Sequence, residues 1–348
     1  MGLWSQVSTF VNAGLSNDGL GVVVGGTHDA VLIPNHKQVV FFAGPHYSSE
    51  EEVENFLHHY VESGWRRGHP HTKGLRYWRW PSPDDDKIFK EHIFDNLVTA
   101  YDDVTLRKQI LDSIQSKWVE SENGIILGTE LFDQVGMNAE QDAMTGMQSV
   151  LNAINVPASN VTVILNYRTP RMEQWMSIWK NAEVFSDSYK NFMCDSYDDP
   201  DLRKTRESQI GASMNAMGAA YEFLSKGWSV KLIDLEGVHK LDKDVVHAIA
   251  CDILLGECKD GKLLAHDELR APEEDLPAFV EEIGQEESDK IEMLFRYRDC
   301  GYRKLLKPFI ESGDLEVLYE DSIWNDCDDD KELYYEALAN QDLSLIHI

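Results

Sequence analysis

An alternation repeated along the chain restricts its fold more than any other feature. Short apolar runs are each closed by a glycine or polar break and followed by a segment of helical period. Residues 39–43, 124–127, 161–165, 230–235 and 315–319 have strand length and are rich in β-branched, aliphatic or aromatic side chains. Between them, apolar residues recur at three- and four-residue spacing, as in Leu106, Ile110, Leu111, Ile114 and Trp118, or Ala143, Met147, Val150, Leu151 and Ile154 ahead of Pro157. Further helical faces run through Ile88, Ile93, Leu97 and Tyr101, through Trp175, Ile178 and Trp179, and through Ile210, Met214, Met217, Tyr221 and Leu224, which stops at Gly227. Val245, Val246, Ile249, Ile253 and Leu254 make another, and a helix over 291–310 carries Arg296, Arg298 and Arg303. Strands that alternate with helices imply an α/β fold with a parallel central sheet flanked by helices on both faces.

Ligands of such sheets bind outside the carboxyl ends of the strands. Four predicted strand ends therefore form one rim: residues 44–49, 129–130, 167–168 and 236–237. The first of these lies in KQVVFFAGPHYSSEEEVENF, residues 37–56. Its apolar run is broken by Gly44, Pro45 and His46, after which Ser48 or Ser49 can cap a helix and Glu51 and Glu52 sit at capping-box spacing. Val53, Phe56, Leu57, Tyr60 and Val61 then mark one helical face, ended by Gly64. A strand, tight turn and helix aim backbone N–H groups at one point, which makes an anion site, and the same geometry is also ordinary α/β architecture.

Charge narrows the partners. A formal net charge of −29 argues against nucleic acid, whose phosphates must be neutralised by clustered Lys and Arg. It leaves room for a small anion in a local basic pocket. The most basic stretch, residues 65–80, holds Arg66, Arg67, His69, His71, Lys73, Arg76 and Arg79 among tryptophans. It reads either as a surface loop with Trp78 and Trp80 anchored in the core or as a contact surface for an anionic or sugar-like acceptor. The acidic stretch 184–204 reads as a solvated loop, not a metal site, and the acidic block 273–289 as helical with a solvated face. Five scattered cysteines without a CxxC pair favour reduced thiols over a disulfide framework or a zinc site. No apolar run is long enough to span a bilayer, and the first residues lack a signal-peptide pattern, so a soluble chain is expected. Asn160-Val161-Thr162 matches a glycosylation sequon but abuts a predicted buried strand.

Two rim segments together resemble the P-loop sulfotransferase family, in particular its carbohydrate-type and algal branches. VTVILNYRTPRMEQWMSIWKN matches that family's strand ending in R-x-P, with Arg168 and Pro170 at the strand end and Ser177 on the next helix. The resemblance implies that Arg168 and Ser177 hold the 3′-phosphate of phosphoadenosine phosphosulfate (PAPS), a task suited to a planar guanidinium and a hydroxyl. FFAGPHYSSEEEVENF resembles the family's phosphosulfate loop in its strand, Gly44, Pro45, His46 and helix. It departs in charge: Tyr47 stands where the loop lysine belongs, Ser49 where a glycine belongs, and Glu50, Glu51 and Glu52 where small hydroxyl residues belong. Carboxylates at a helix start compete for the N–H groups an anion needs. LFRYRDCGYRKLL followed by LEVLYEDSIW is similar to the end of algal members.

The resemblance implies a single sulfotransferase-like domain over 37–325, preceded by a lead-in over 1–36 and followed by a tail over 326–342. Residues 343–348, LSLIHI, read as the in-frame translation of a sequencing-adapter end and are expected to lie outside the natural fold. Sulfuryl transfer from PAPS to a hydroxyl of a carbohydrate or other small acceptor would need a base, for which Glu130 and His46 are the candidates, and no metal. The phosphosulfate would lie against Gly44, Pro45, His46, Ser48 and Ser49. Two alternatives stand beside this expectation: a non-catalytic binding or interaction protein on the same fold, and an unrelated nucleotide-sugar or nucleotide-binding α/β enzyme, among which the absence of GxxxxGK[ST] disfavours an NTPase.

Overall fold

The computed structural model describes residues 37–44, 53, 57, 61, 75–78, 104–128, 143–167, 215–241, 245–255 and 284–319. Within them lie strands β1 (Gln38–Phe42), β2 (Leu75–Trp78), β3 (Gly124–Gly128), β4 (Val161–Tyr167), β5 (Ser229–Asp234) and β6 (Leu315–Leu318). Helices α1 (Val104–Glu120), α2 (Ala143–Ile154) and α3 (Ala216–Ser225) precede β3, β4 and β5, and α6 (Gln285–Ser312) precedes β6. After β5 come α4 (Leu235–Lys240) and α5 (Val245–His247), which runs into a wider helical segment, Ala248–Leu255. The strands form one sheet in the order β2-β3-β1-β4-β5-β6. Every pairing is parallel.

The sheet is apolar on both faces because successive strand side chains point to opposite sides. Val39, Phe41, Ile125, Leu127, Val163, Leu165, Val230 and Leu232 face a core shared with α1, α2, α3 and α6. Their neighbours Val40, Phe42, Ile126, Ile164 and Ile233 face a second core, built with Val53, Leu57, Val61 and the helical turns around Val246, Ile249 and Ile253. The helix expected after the first strand is thus represented by three helical residues at four-residue spacing, each fully buried. Trp228 is stacked between Phe41 (ring centroids 5.8 Å apart) and Phe223 (5.7 Å), tying α3 to β1. Such pairs add about 0.5–1.5 kcal/mol each beyond the area they bury.

The basic, aromatic stretch is not a loop throughout. Residues 75–78 are a buried edge strand paired with β3, so the sheet has six strands where the sequence suggests five. Leu75 and Tyr77 fill one core and Trp78 the other. Arg76, only 4% exposed, is tolerated there because it donates to Glu120 at 2.6 Å. Trp78 is anchored as expected, its indole N–H donating to Ser113 at 3.2 Å. Its four residues lie within a stretch dense in Arg and His, which reads as a loop before the pairing with β3 is known.

The thiol reading also needs correction, since Cys300, buried in α6, is disulfide-bonded. The scattered spacing gave no hint of it because chain topology, not sequence distance, brings cysteines together. Among the described residues, no helix is long and apolar enough to cross a membrane.

Candidate functional site at the carboxyl edge

The strand order defines where a ligand would bind. β1 leads away toward β2 on one side of the sheet, whereas β4 leads toward β5 on the other. Adjacent strands whose connections diverge open a crevice at their carboxyl ends. In this sheet the divergence falls between β1 and β4, which pair from Val39↔Val161 to Phe42↔Ile164. Pairing persists one residue further, with the Ala43 N–H donating to the Ile164 carbonyl at 2.9 Å. Gly44 follows at the edge of the crevice, and a Cβ there would sit 2.8 Å from the Phe42 ring. Gly128, which closes β3, pairs with Phe42 on the other flank.

β4 extends beyond β1 to Asn166 and Tyr167, both buried. The Tyr167 hydroxyl donates to Asp299 Oδ2 of α6 at 3.0 Å. Arg298 lies alongside, its Nε 3.7 Å from Asp299 Oδ1 and its guanidinium 5.0 Å from the Phe295 ring centroid. Next to this cluster, Asn215 accepts from the Gly218 N–H at 3.1 Å and caps α3, while its amide meets the Tyr302 hydroxyl at 3.4 Å.

The end of β5 is occupied structurally. Asp234, 1% exposed, accepts from the N–H groups of Glu236 (3.1 Å) and Gly237 (3.3 Å) and so starts α4. Glu236 lies 3.7 Å from Lys240 one turn on. The 236–237 corner of the rim is thus a helix start capped by Asp234.

Of the residues singled out in sequence, Gly44 is at the crevice. Pro45, His46, Ser48, Ser49, Glu130, Arg168 and Ser177 lie outside the described residues. The segments leading to three of them, at Gly44, Gly128 and Tyr167, emerge on the same edge of neighbouring strands. Sequence reasoning missed Asp299. The signal was available, since Phe295, Asp299, Tyr302 and Leu306 fall on one helical stripe and an acid on an apolar stripe is a buried acid. Among the described residues, no group of three or more His, Cys, Asp or Glu is arranged to hold a metal ion.

Comparisons with family models, with curated proteins and with solved structures found no match.

Proposed function

We propose that this chain is a sulfotransferase-like α/β protein whose carboxyl-edge crevice takes PAPS as substrate and passes its sulfuryl group to a hydroxyl of a carbohydrate or other small acceptor. One observation carries the reading. The two sequence segments that resemble the sulfotransferase family, far apart in the chain, leave the sheet from the adjacent strands β1 and β4 at its topological switch point. In this reading Arg168 and Ser177 bind the 3′-phosphate, Gly44, Pro45, His46, Ser48 and Ser49 surround the phosphosulfate, and Glu130 or His46 accepts the acceptor's proton.

A second reading has its own support. Tyr47 in place of lysine and the three glutamates from Glu50 to Glu52 remove positive charge where the phosphosulfate would sit. They favour a protein that keeps the 3′-phosphate half of the site and binds without transferring.

Calorimetry with adenosine 3′,5′-bisphosphate tests both readings. Binding that is lost in Arg168→Ala supports either one, and absence of binding by the parent chain sinks both. Transfer of labelled sulfate from PAPS to a panel of sugar acceptors then separates them: turnover selects the first reading, and binding without turnover the second. In the second case, Tyr47→Lys combined with Ser49→Gly is expected to raise affinity.

A further inference from the structure

We propose that Asn160 is a site of N-linked glycosylation, so that the chain matures in an oxidising secretory compartment and carries an oligosaccharide on the edge of the sheet opposite the crevice.

One local and one tertiary observation meet in this assignment. Asn160-Val161-Thr162 is the only N-x-[ST] sequence in the chain, and it supplies an acceptor amide with a hydroxyl two residues on and no proline between them. The tertiary observation is that Cys300, buried in α6, is disulfide-bonded. Disulfides form and persist in the endoplasmic reticulum and outside the cell, and are rare in the reducing cytosol. The endoplasmic reticulum is also where such a sequon receives its sugar, so two features that share no residue point to the same compartment.

The structure answers the objection that the sequon abuts a buried strand. Val161 opens β4 and is 1% exposed, but Asn160 belongs to the short helical turn Ala158–Asn160, in which no residue is buried. Asn155, Pro157, Ala158 and Ser159 are exposed and Asn160 is partly so. The Asn160 backbone N–H donates to the Pro157 carbonyl at 3.0 Å and closes the turn. Its side-chain amide donates to the Lys37 carbonyl at 3.3 Å, and its side-chain oxygen accepts from the Ser159 hydroxyl at 3.2 Å. An asparagine amide carries two N–H groups, so a sugar on one leaves the other to donate. Thr162 lies within β4, paired with Val40 and Ser229. The sequon is therefore read in the extended chain before the sheet closes, and afterwards only Asn160 needs an outlet to solvent.

Its place in the sheet keeps the crevice open. All strand pairings are parallel, so every strand begins on one edge and ends on the other. Asn160 precedes β4 and Tyr167 ends it. At a rise of about 3.3 Å per residue, the two lie about 20 Å apart. A bulky, hydrated oligosaccharide on the amino edge is thus compatible with any ligand at the carboxyl edge.

The step is a group transfer from an oligosaccharide held on a membrane lipid through a diphosphate, carried out by the transferase of that compartment. The bond from the sugar's anomeric carbon to the diphosphate oxygen breaks, and a bond from that carbon to Asn160 Nδ2 forms. The amide gives up one proton as the lipid diphosphate leaves.

The test uses the full chain recovered from the cells that make it. Peptides containing residue 160 are weighed before and after treatment with a peptide N-glycosidase in heavy-oxygen water. The expected result is a sugar-bearing peptide before treatment and a heavy-oxygen aspartate at position 160 after it. Thr162→Ser, expressed in the same cells, should keep the sugar because serine also supplies the hydroxyl, whereas Thr162→Val and Asn160→Gln should lose it. An unmodified Asn160 in the parent chain overturns the proposal, and so does a sugar at position 160 that survives Thr162→Val. Neither result depends on what the crevice binds.

Discussion

The guanidinium of Arg76, within the sheet, donates to the carboxylate of Glu120, the last residue of α1, at 2.6 Å. The arginine side chain is 5% exposed and the glutamate side chain 52% exposed, so the pair brings a buried cation to a half-solvated anion. Glu120→Ala should lower stability by about 1 kcal/mol, the range for a charged hydrogen bond reduced by solvent on one side. Urea unfolding measures this, and an unchanged midpoint would show that the pair adds nothing.

Two glycines should respond to the same substitution with opposite signs. A Cβ at Gly237 would lie 1.7 Å from the Tyr319 carbonyl oxygen, a backbone atom that cannot swing aside. Gly237→Ala is therefore expected to cost about 1–3 kcal/mol through overpacking. At Gly301, exposed within α6, an added Cβ meets nothing within 4 Å. Gly301→Ala should stabilise by about 0.5–1 kcal/mol through lower backbone entropy in the unfolded chain. Thermal melts of the two variants decide the matter.

Lys231 on β5 lies against Glu316 on β6, and burial holds its ammonium below its ordinary value of 10.5 despite that partner. The folded chain then releases this proton before the unfolded chain does. Lys231 consequently weighs against folding at neutral pH, and that cost fades as pH rises through the folded value toward 10.5. The parent should gain stability relative to Lys231→Met as pH rises across this alkaline window. A constant difference between the two in unfolding experiments from pH 7 upward would contradict the assignment.

Cys300 should appear in a cross-linked peptide when the chain is digested without reduction, and alkylation before reduction should leave it unmodified. Reduction should destabilise the fold by about 2–4 kcal/mol by freeing the unfolded chain. Five alkylated thiols in the unreduced native chain would refute the bond.

How far the sequence carried can be judged from particular elements. β1, β3 and β4 were legible as apolar runs that fill both faces of the sheet, and β5 and β6 as shorter runs of aliphatic residues around the charges of Lys231 and Glu316. α1 and α2 were legible from their spacing, and the stop after α3 from Gly227, which adopts φ 76. β2 was not, because Leu75 to Trp78 includes Arg76, whose cation is acceptable in the sheet only opposite Glu120, 44 residues away.

The candidate site divides in the same way. The sequence alone determined that strands alternate with helices, that any binding edge is the carboxyl one, and that Gly44 and Arg168 follow two of the strands; these depend on local periodicity and chain order. Tertiary structure decided that β1 and β4 are neighbours at a switch point, that Tyr167 is tied to Asp299, and that Cys300 is bridged. The reason is physical. Periodicity reports which face of an element is buried, but which elements share that burial is set by packing between residues more than a hundred positions apart, and no local pattern encodes it.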